Sequence, residues 1–184
     1  MVLALAACHS STGPVAVTHR ADLLALARVP GADPNGLAMV FKNNQVVSFT
    51  WHNNDSAAST FAVFNFFPQS VPVRNDSILA DTSTISLSAI FTPGVVGFTV
   101  DPANVVFNIA GSPTVDVSYA GYADFSVSDS ALSKYPTPAA FAQALKLWYE
   151  YGPDQWRALN TGLVNGVASS ALSQPGIYLL AAPK

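Results

Sequence analysis

Charge is what this chain has least of. Asp, Glu, Lys and Arg make up 10% of its 184 residues, against roughly 25% in an average soluble protein. Glutamate occurs once, as Glu150. The eight Lys and Arg stand singly and the net charge is -3. Nothing therefore supplies the basic footprint that a phosphate backbone requires, and nucleic acid is excluded as a partner. One cysteine allows neither an internal disulfide nor a cysteine-based metal site. No apolar run reaches the roughly eighteen residues of a membrane-spanning helix. The patterns G-x-S-x-G, H-E-x-x-H, S-x-x-K, the P-loop and G-x-G-x-x-G are all missing. No catalytic residue can be named and no cofactor is called for, so enzymes rank last among the function classes.

What is present is apolar and strand-like. Hydrophobic residues are 50% of the chain, too many for disorder, and the length suffices for one domain with a sizeable core. Polar surface must come from Ser, Thr, Asn and Gln. Thirteen Pro and eleven Gly punctuate the chain, and several pieces between them alternate with the period of a half-buried strand. In TISLSAIF, Ile85, Leu87, Ala89 and Phe91 point inward. In TVDVSY, Val115, Val117 and Tyr119 do so, with Asp116 and Ser118 outward. Residues 37–42 and 45–52 flank Asn43-Asn44 as a hairpin candidate, with Val47, Phe49 and Trp51 on one face.

TFAVFNFF, residues 60–67, is apolar on both faces, predicting a central strand covered on both sides. Residues 22–28 read equally as two helical turns or a buried strand. One helix is predicted from Pro138 to about Leu145, with Thr137 as N-cap and Pro138 at its first position. KLWYEY and QWRALN form a hairpin about a Gly-Pro-Asp loop, and GIYLLAAP closes the domain. Turn signals roughly every 8–12 residues predict a mainly β fold. The expected architecture is an antiparallel, immunoglobulin-like β-sandwich with one short helix near 138–145. Its predicted core is Phe49, Trp51, Val63, Leu87, Phe91, Val100, Phe107, Val117 and Tyr119.

The lone cysteine follows a short apolar run. Leu5-Ala6-Ala7-Cys8, with the polar stretch His9 to Pro14 behind it, resembles the lipobox of bacterial lipoproteins. The resemblance implies cleavage just before Cys8, with Ala6 and Ala7 fitting a narrow peptidase pocket and Leu5 the apolar position before them. The Cys8 sulfur would then carry a diacylglyceryl thioether. The departure is upstream. Val2 to Ala7 contain no Lys or Arg and are shorter than the charged region and 7–15 apolar residues that a signal peptide uses. Residues 1–7 thus read as a truncated signal remnant, 8–14 as a tether and 15–184 as a single β-sandwich domain. The implied location is the bacterial cell envelope, lipid-anchored and extracytoplasmic, in the periplasm or at the cell surface.

GFTVDPANVVFN followed by TVDVSYAGY is similar, loosely, to the ZU5-like β-sandwich modules of bacterial surface proteins and animal scaffold proteins. The likeness covers the stretch from Thr84 to the end. It implies a role in assembly and protein contacts and brings no catalytic residue with it.

Metal sites find little support. His19, His52 and a carboxylate would have to converge through the fold to hold zinc. HNND (residues 52–55) and GADPNG (residues 31–36) each offer calcium one carboxylate, and Asn and Asp at such places usually make turns. The aromatic hairpin is the remaining binding candidate. With Gly-Pro-Asp as its loop, Tyr151 sits opposite Gln155 and Glu150 opposite Trp156. Trp148, Glu150 and Trp156 then share one face, and Tyr149, Tyr151, Leu147 and Leu159 the other. Two indoles beside a carboxylate can hold a sugar ring by stacking and hydrogen bonding. In the competing reading the same pair fills the core, as the high average burial of Trp favours.

Two functions follow. One is a non-catalytic, membrane-tethered domain with a structural or protein-binding role in the envelope. The other is a glycan or small-ligand module using the Trp148/Trp156 face. Exposed tryptophans side by side in a groove would favour the second, buried ones the first.

Overall fold

The computed structural model describes residues 17–108, 111–126 and 134–184. Cys8, the tether and its flanking residues lie outside the described residues. Strand outweighs helix by 50% to 6%, and the described strands all pair antiparallel. In the larger sheet β14 (Gln155–Ala158), β13 (Lys146–Gly152), β17 (Gly176–Pro183), β9 (Gly97–Asp101), β8 (Thr84–Phe91) and β3 (Leu37–Lys42) lie in that order. A short strand, β1 (Leu23–Ala25), pairs with the end of β17. The second sheet runs β15 (Thr161–Val164), β16 (Val167–Ala171), β11 (Thr114–Ser118), β5 (Thr60–Phe66), β4 (Val47–His52). Two small ribbons flank them: β10 (Val105–Val106), β6 (Val73–Arg74) and β7 (Ser77–Ile78), and β12 (Ala123–Asp124) with β2 (Ala27–Arg28).

The two large sheets meet through aromatic rings. Phe41 of β3 lies 4.5 Å from Phe66 of β5, Phe91 of β8 lies 5.4 Å from Phe61, and Phe98 of β9 lies 5.4 Å from Phe64. This is an antiparallel β-sandwich, and the alternation in the sequence builds it. Ile85, Leu87, Ala89 and Phe91 are buried along β8, and Val115, Val117 and Tyr119 along and just beyond β11. The predicted helix is present as α1 (Pro138–Ala144), where Thr137 Oγ1 accepts from Ala140 N at 3.1 Å. Its buried Phe141 packs against Phe125 and Tyr135, plugging one end of the core.

Four expectations are corrected or resolved. Residues 37–42 and 45–52 are not a hairpin, because β3 pairs with β8 and β4 with β5, in different sheets. Asn43 makes this corner: its N–H donates to Ser83 O, its carbonyl accepts from Gln69 N, and its Oδ1 accepts from Val71 N. Both strands point an apolar row at the same core from opposite sides, so their alternation fits a corner as well as a hairpin. Strand β5 is not covered on both sides. Val63 pairs with Thr50 and Asp116 on the outward face, while Phe61 is turned in by a bulge opposite Trp51 and His52.

The core accordingly contains Trp51, Leu87, Phe91, Val100, Phe107, Val117 and Tyr119, with Phe49 half-buried at its edge and Val63 outside it. The strand reading of residues 22–28 holds from Leu23 onward, as β1 and β2 with Leu26 between them, after a single 3-10 turn at Arg20–Asp22.

The hairpin of β15 and β16 turns on Asn165 and Gly166, both left-handed at φ 49 and 76, the mirror-image turn that matches strand twist. A Cβ on Gly166 would come within 2.3 Å of the Ala120 Cβ. Gly166→Ala should therefore cost roughly 1–3 kcal/mol. Phe107→Ala should cost about 3–5 kcal/mol and Val63→Ala less than about 1 kcal/mol. Urea midpoints check all three, and a near-neutral Phe107→Ala would contradict the assigned register.

Candidate functional site

In the aromatic hairpin Trp148 faces Ala158, Tyr149 faces Arg157 and Glu150 faces Trp156. The register then slips, so Gly152 rather than Tyr151 sits opposite Gln155, and Tyr151 occupies a bulge. Trp148 and Trp156 are buried, 6% and 3% exposed, in a second cluster with Leu23, Leu179 and Ala181. This cluster lies on the outer face of the larger sheet, because the alternate residues Leu147, Tyr178, Leu180 and Ala182 belong to the core between the sheets.

Leu23 brings the amino-terminal segment into this cluster, and Val95 from the β8–β9 connection packs beside it. Thr18 pairs with the edge of β14, its N–H donating to Trp156 O at 2.9 Å and its carbonyl accepting from Trp156 N at 2.7 Å. Leu23 is already paired with Pro183, on the opposite edge of β17 from β13. Residues 18–23 therefore link the β14 edge of the sheet to the far edge of β17 as a strap. Asp154 fastens it, accepting from Arg20 N at 2.7 Å and lying 3.2 Å from His19 Nδ1.

Each predicted ligand residue has a structural role here. The Trp148 indole N–H donates to Ala181 O at 3.0 Å, and that of Trp156 is buried without a partner. Glu150 accepts from Asp154 N at 3.2 Å, closing the hairpin loop. The two indoles and the carboxylate share a face as expected, but the rings offer no open platform to a sugar.

The reverse face of the same hairpin is open. A cavity of about 530 Å³ lies between the hairpin and the segment leading from β16 into β17. Tyr149, Tyr151, Arg157 and Leu159 line one side, Leu172 and Gln174 the other. The Arg157 guanidinium lies 3.4 Å over the Tyr151 ring, and its Nε is buried without a hydrogen-bond partner. The ion pairs among the described residues, His19 with Asp154 and Arg28 with Asp33, leave Arg157 unpaired. Burial pushes the Tyr149 hydroxyl above its ordinary pKa, with Arg157 opposing. Its ring rests beside Tyr178 at 5.1 Å and against Gly176, where a Cβ would come within 3.0 Å of it. Sequence reasoning found the hairpin but favoured its sealed face. The usable signal was Arg157, which the register sets across from Tyr149 with no acid beside it on that face.

The other candidate loops are tied by a cation the protein supplies itself. Arg28 is buried between Phe61, Phe91 and Tyr122, its guanidinium 5.3, 5.2 and 4.7 Å from their centroids. It donates to Ala32 O at 2.9 Å, Asn53 Oδ1 at 2.6 Å and Asp33 Oδ1 at 3.2 Å, joining the 31–36 loop to the 52–55 loop. Asn53 Nδ2 in turn donates to Ser59 Oγ at 2.9 Å. Asp55 accepts from Ser59 N at 2.9 Å, from the Ser59 hydroxyl and from Tyr122 Oη at 2.6 Å. His52 Nδ1 lies 2.6 Å from Ala58 O. Ser59 is thus held between Asn53 and Asp55. No three of His, Cys, Asp and Glu gather as metal ligands among the described residues.

Hydrogen bonds from Ser59, and next from Tyr122, lower the Asp55 pKa from 3.8 to about 2. The folded carboxyl is thus the stronger acid, so this contribution to stability is complete above about pH 4 and disappears as pH falls through about 2. Urea midpoints measured downward from about pH 5 should fall less steeply for Asp55→Asn than for the parent chain. Equal slopes would contradict the assignment.

No protein-family model, curated protein or solved structure matches this chain.

Proposed function

We propose that the chain is a lipid-anchored, extracytoplasmic β-sandwich of the bacterial envelope with a non-catalytic structural or protein-binding role. The observation that carries this reading is the strap. A lipobox-like Leu5-Ala6-Ala7-Cys8 ends ten positions before Thr18, where backbone hydrogen bonds pin the chain to β14 and Asp154 holds the next turn. An acylated Cys8 would therefore be joined to a fixed point on a rigid sheet through a short polar segment. The Trp pair and the Arg28 loop network are engaged in holding the fold, which suits a scaffold better than a catalyst. Each buried lipid methylene contributes about 0.8 kcal/mol, so two or three acyl chains would hold the protein far more firmly than one.

Expressed from its natural reading frame, the protein should partition into the detergent phase, and mass spectrometry should find an acylated Cys8 at its amino terminus. Cys8→Ser should remain unprocessed, because a hydroxyl cannot take the thioether, while the urea midpoint of the sandwich stays unchanged. Membrane-free protein with an unmodified Cys8 still preceded by Leu5-Ala6-Ala7 would overturn the proposal.

A further inference from the structure

We infer that the cavity beside Tyr149 and Arg157 binds a small monocarboxylate with an apolar body, a function separate from membrane attachment. The cavity, about 530 Å³, lies within the range of roughly 300–1,000 Å³ typical of ligand pockets. Its charged group is poised for a planar acceptor. Stacking on Tyr151 occupies the flat face of the Arg157 guanidinium, which leaves the N–H groups along its edge to donate, and a carboxylate accepts two of them side by side.

The buried Nε makes the case stronger. A buried donor without an acceptor is a cost that folded proteins rarely leave standing, and here the side chain that carries it lines an open cavity. A small turn of the side chain would bring Nε and the neighbouring terminal nitrogen onto a carboxylate seated in the cavity and satisfy it.

The remaining lining sets the class of ligand. Leu159 and Leu172 offer apolar surface, so the ligand body should be hydrophobic. Tyr149, whose phenol is protonated at neutral pH, lines the same cavity and can donate a further hydrogen bond. Arg157 is the one cation among the lining residues, and the chain carries a net charge of -3. A single negative charge matches that setting, whereas a phosphate dianion would lack a second cation. The nearby Glu150 carboxylate is directed to the Asp154 N–H of the hairpin loop, so it does not fill the Arg157 site.

The test follows the Arg157 Nε–Hε resonance by nuclear magnetic resonance while benzoate or hexanoate is added. Benzamide and hexanamide serve as neutral isosteres, and inorganic phosphate as the competing anion. The expected result is a saturable shift with both carboxylates and binding at least about tenfold weaker for the amides and for phosphate. Arg157→Met, folded by circular dichroism, should bind no carboxylate. Ala171→Phe, which fills the mouth from an exposed position while leaving the guanidinium in place, should block binding independently. No saturable shift up to about 10 mM carboxylate, amide or phosphate binding as tight as carboxylate, or undiminished binding by Ala171→Phe would each overturn the inference. None of these results bears on acylation of Cys8, so the two proposals stand or fall separately.

Discussion

A β-sandwich buries one face of each sheet, and any strand that is apolar on both faces needs a second cover. That constraint governs this molecule. In β17 Tyr178, Leu180 and Ala182 face the core while Leu179 and Ala181 face outward, and in β13 Leu147 faces inward and Trp148 outward. The strap meets the demand. It is fixed at one side by the Thr18–Trp156 bonds and at the other by the pairing of β1 with β17. Beyond β1 the chain continues along the same edge, with Leu26 N donating to Leu180 O and Leu26 O accepting from Val96 N. Lys184 N donates to Asp22 O, so the carboxyl terminus is tied to the segment that covers it. The stretch from Thr18 to Leu23, ahead of the first strand pairing, is an integral part of the fold.

The same constraint explains why the hairpin of β13 and β14 has two unlike faces. Outside, the strap seals the indoles and leaves one indole N–H unpartnered. Inside, at the margin of the sandwich, the bulge at Tyr151 carries an aromatic ring beneath Arg157. A bulge adds a residue and re-aims a side chain, and here its effect is to set a guanidinium flat against a ring beside an open cavity. Structural and binding roles are thus divided between the two faces of one ribbon.

How much of this was legible depends on the range of the interactions. The period of two in TISLSAIF and TVDVSY gave the inward rows of β8 and β11, and Thr137-Pro138 gave the start of α1, since both are local signals. Whether β3 and β4 share a sheet is a long-range fact set by what Asn43 meets, and Ser83, Gln69 and Val71 are distant in sequence. Val63 looked like core because its strand is apolar on both faces, yet its cross-strand partners are Thr50 and Asp116. Arg28 reads as one more solitary surface charge until three aromatic rings and two loops close around it. The high average burial of Trp favoured a closed Trp148/Trp156 face, and both indoles are buried, but that Leu23, more than a hundred positions away, helps to close it is a long-range fact.

The strap of residues 18–23, fixed at Thr18 and ending on Leu23 in the Trp148/Trp156 cluster, closes the outer face of the larger sheet. Hydrogen exchange tests it most directly, at the Trp156 backbone amide and the Trp148 indole N–H, in the full chain and in Thr18→Pro, which removes the N–H donated to Trp156 O. The account predicts that both protons exchange slowly in the parent chain and much faster in Thr18→Pro, while the amides of Phe98 and Tyr178 stay protected. Rapid exchange of either proton in the parent, or equal protection in the variant, would contradict it.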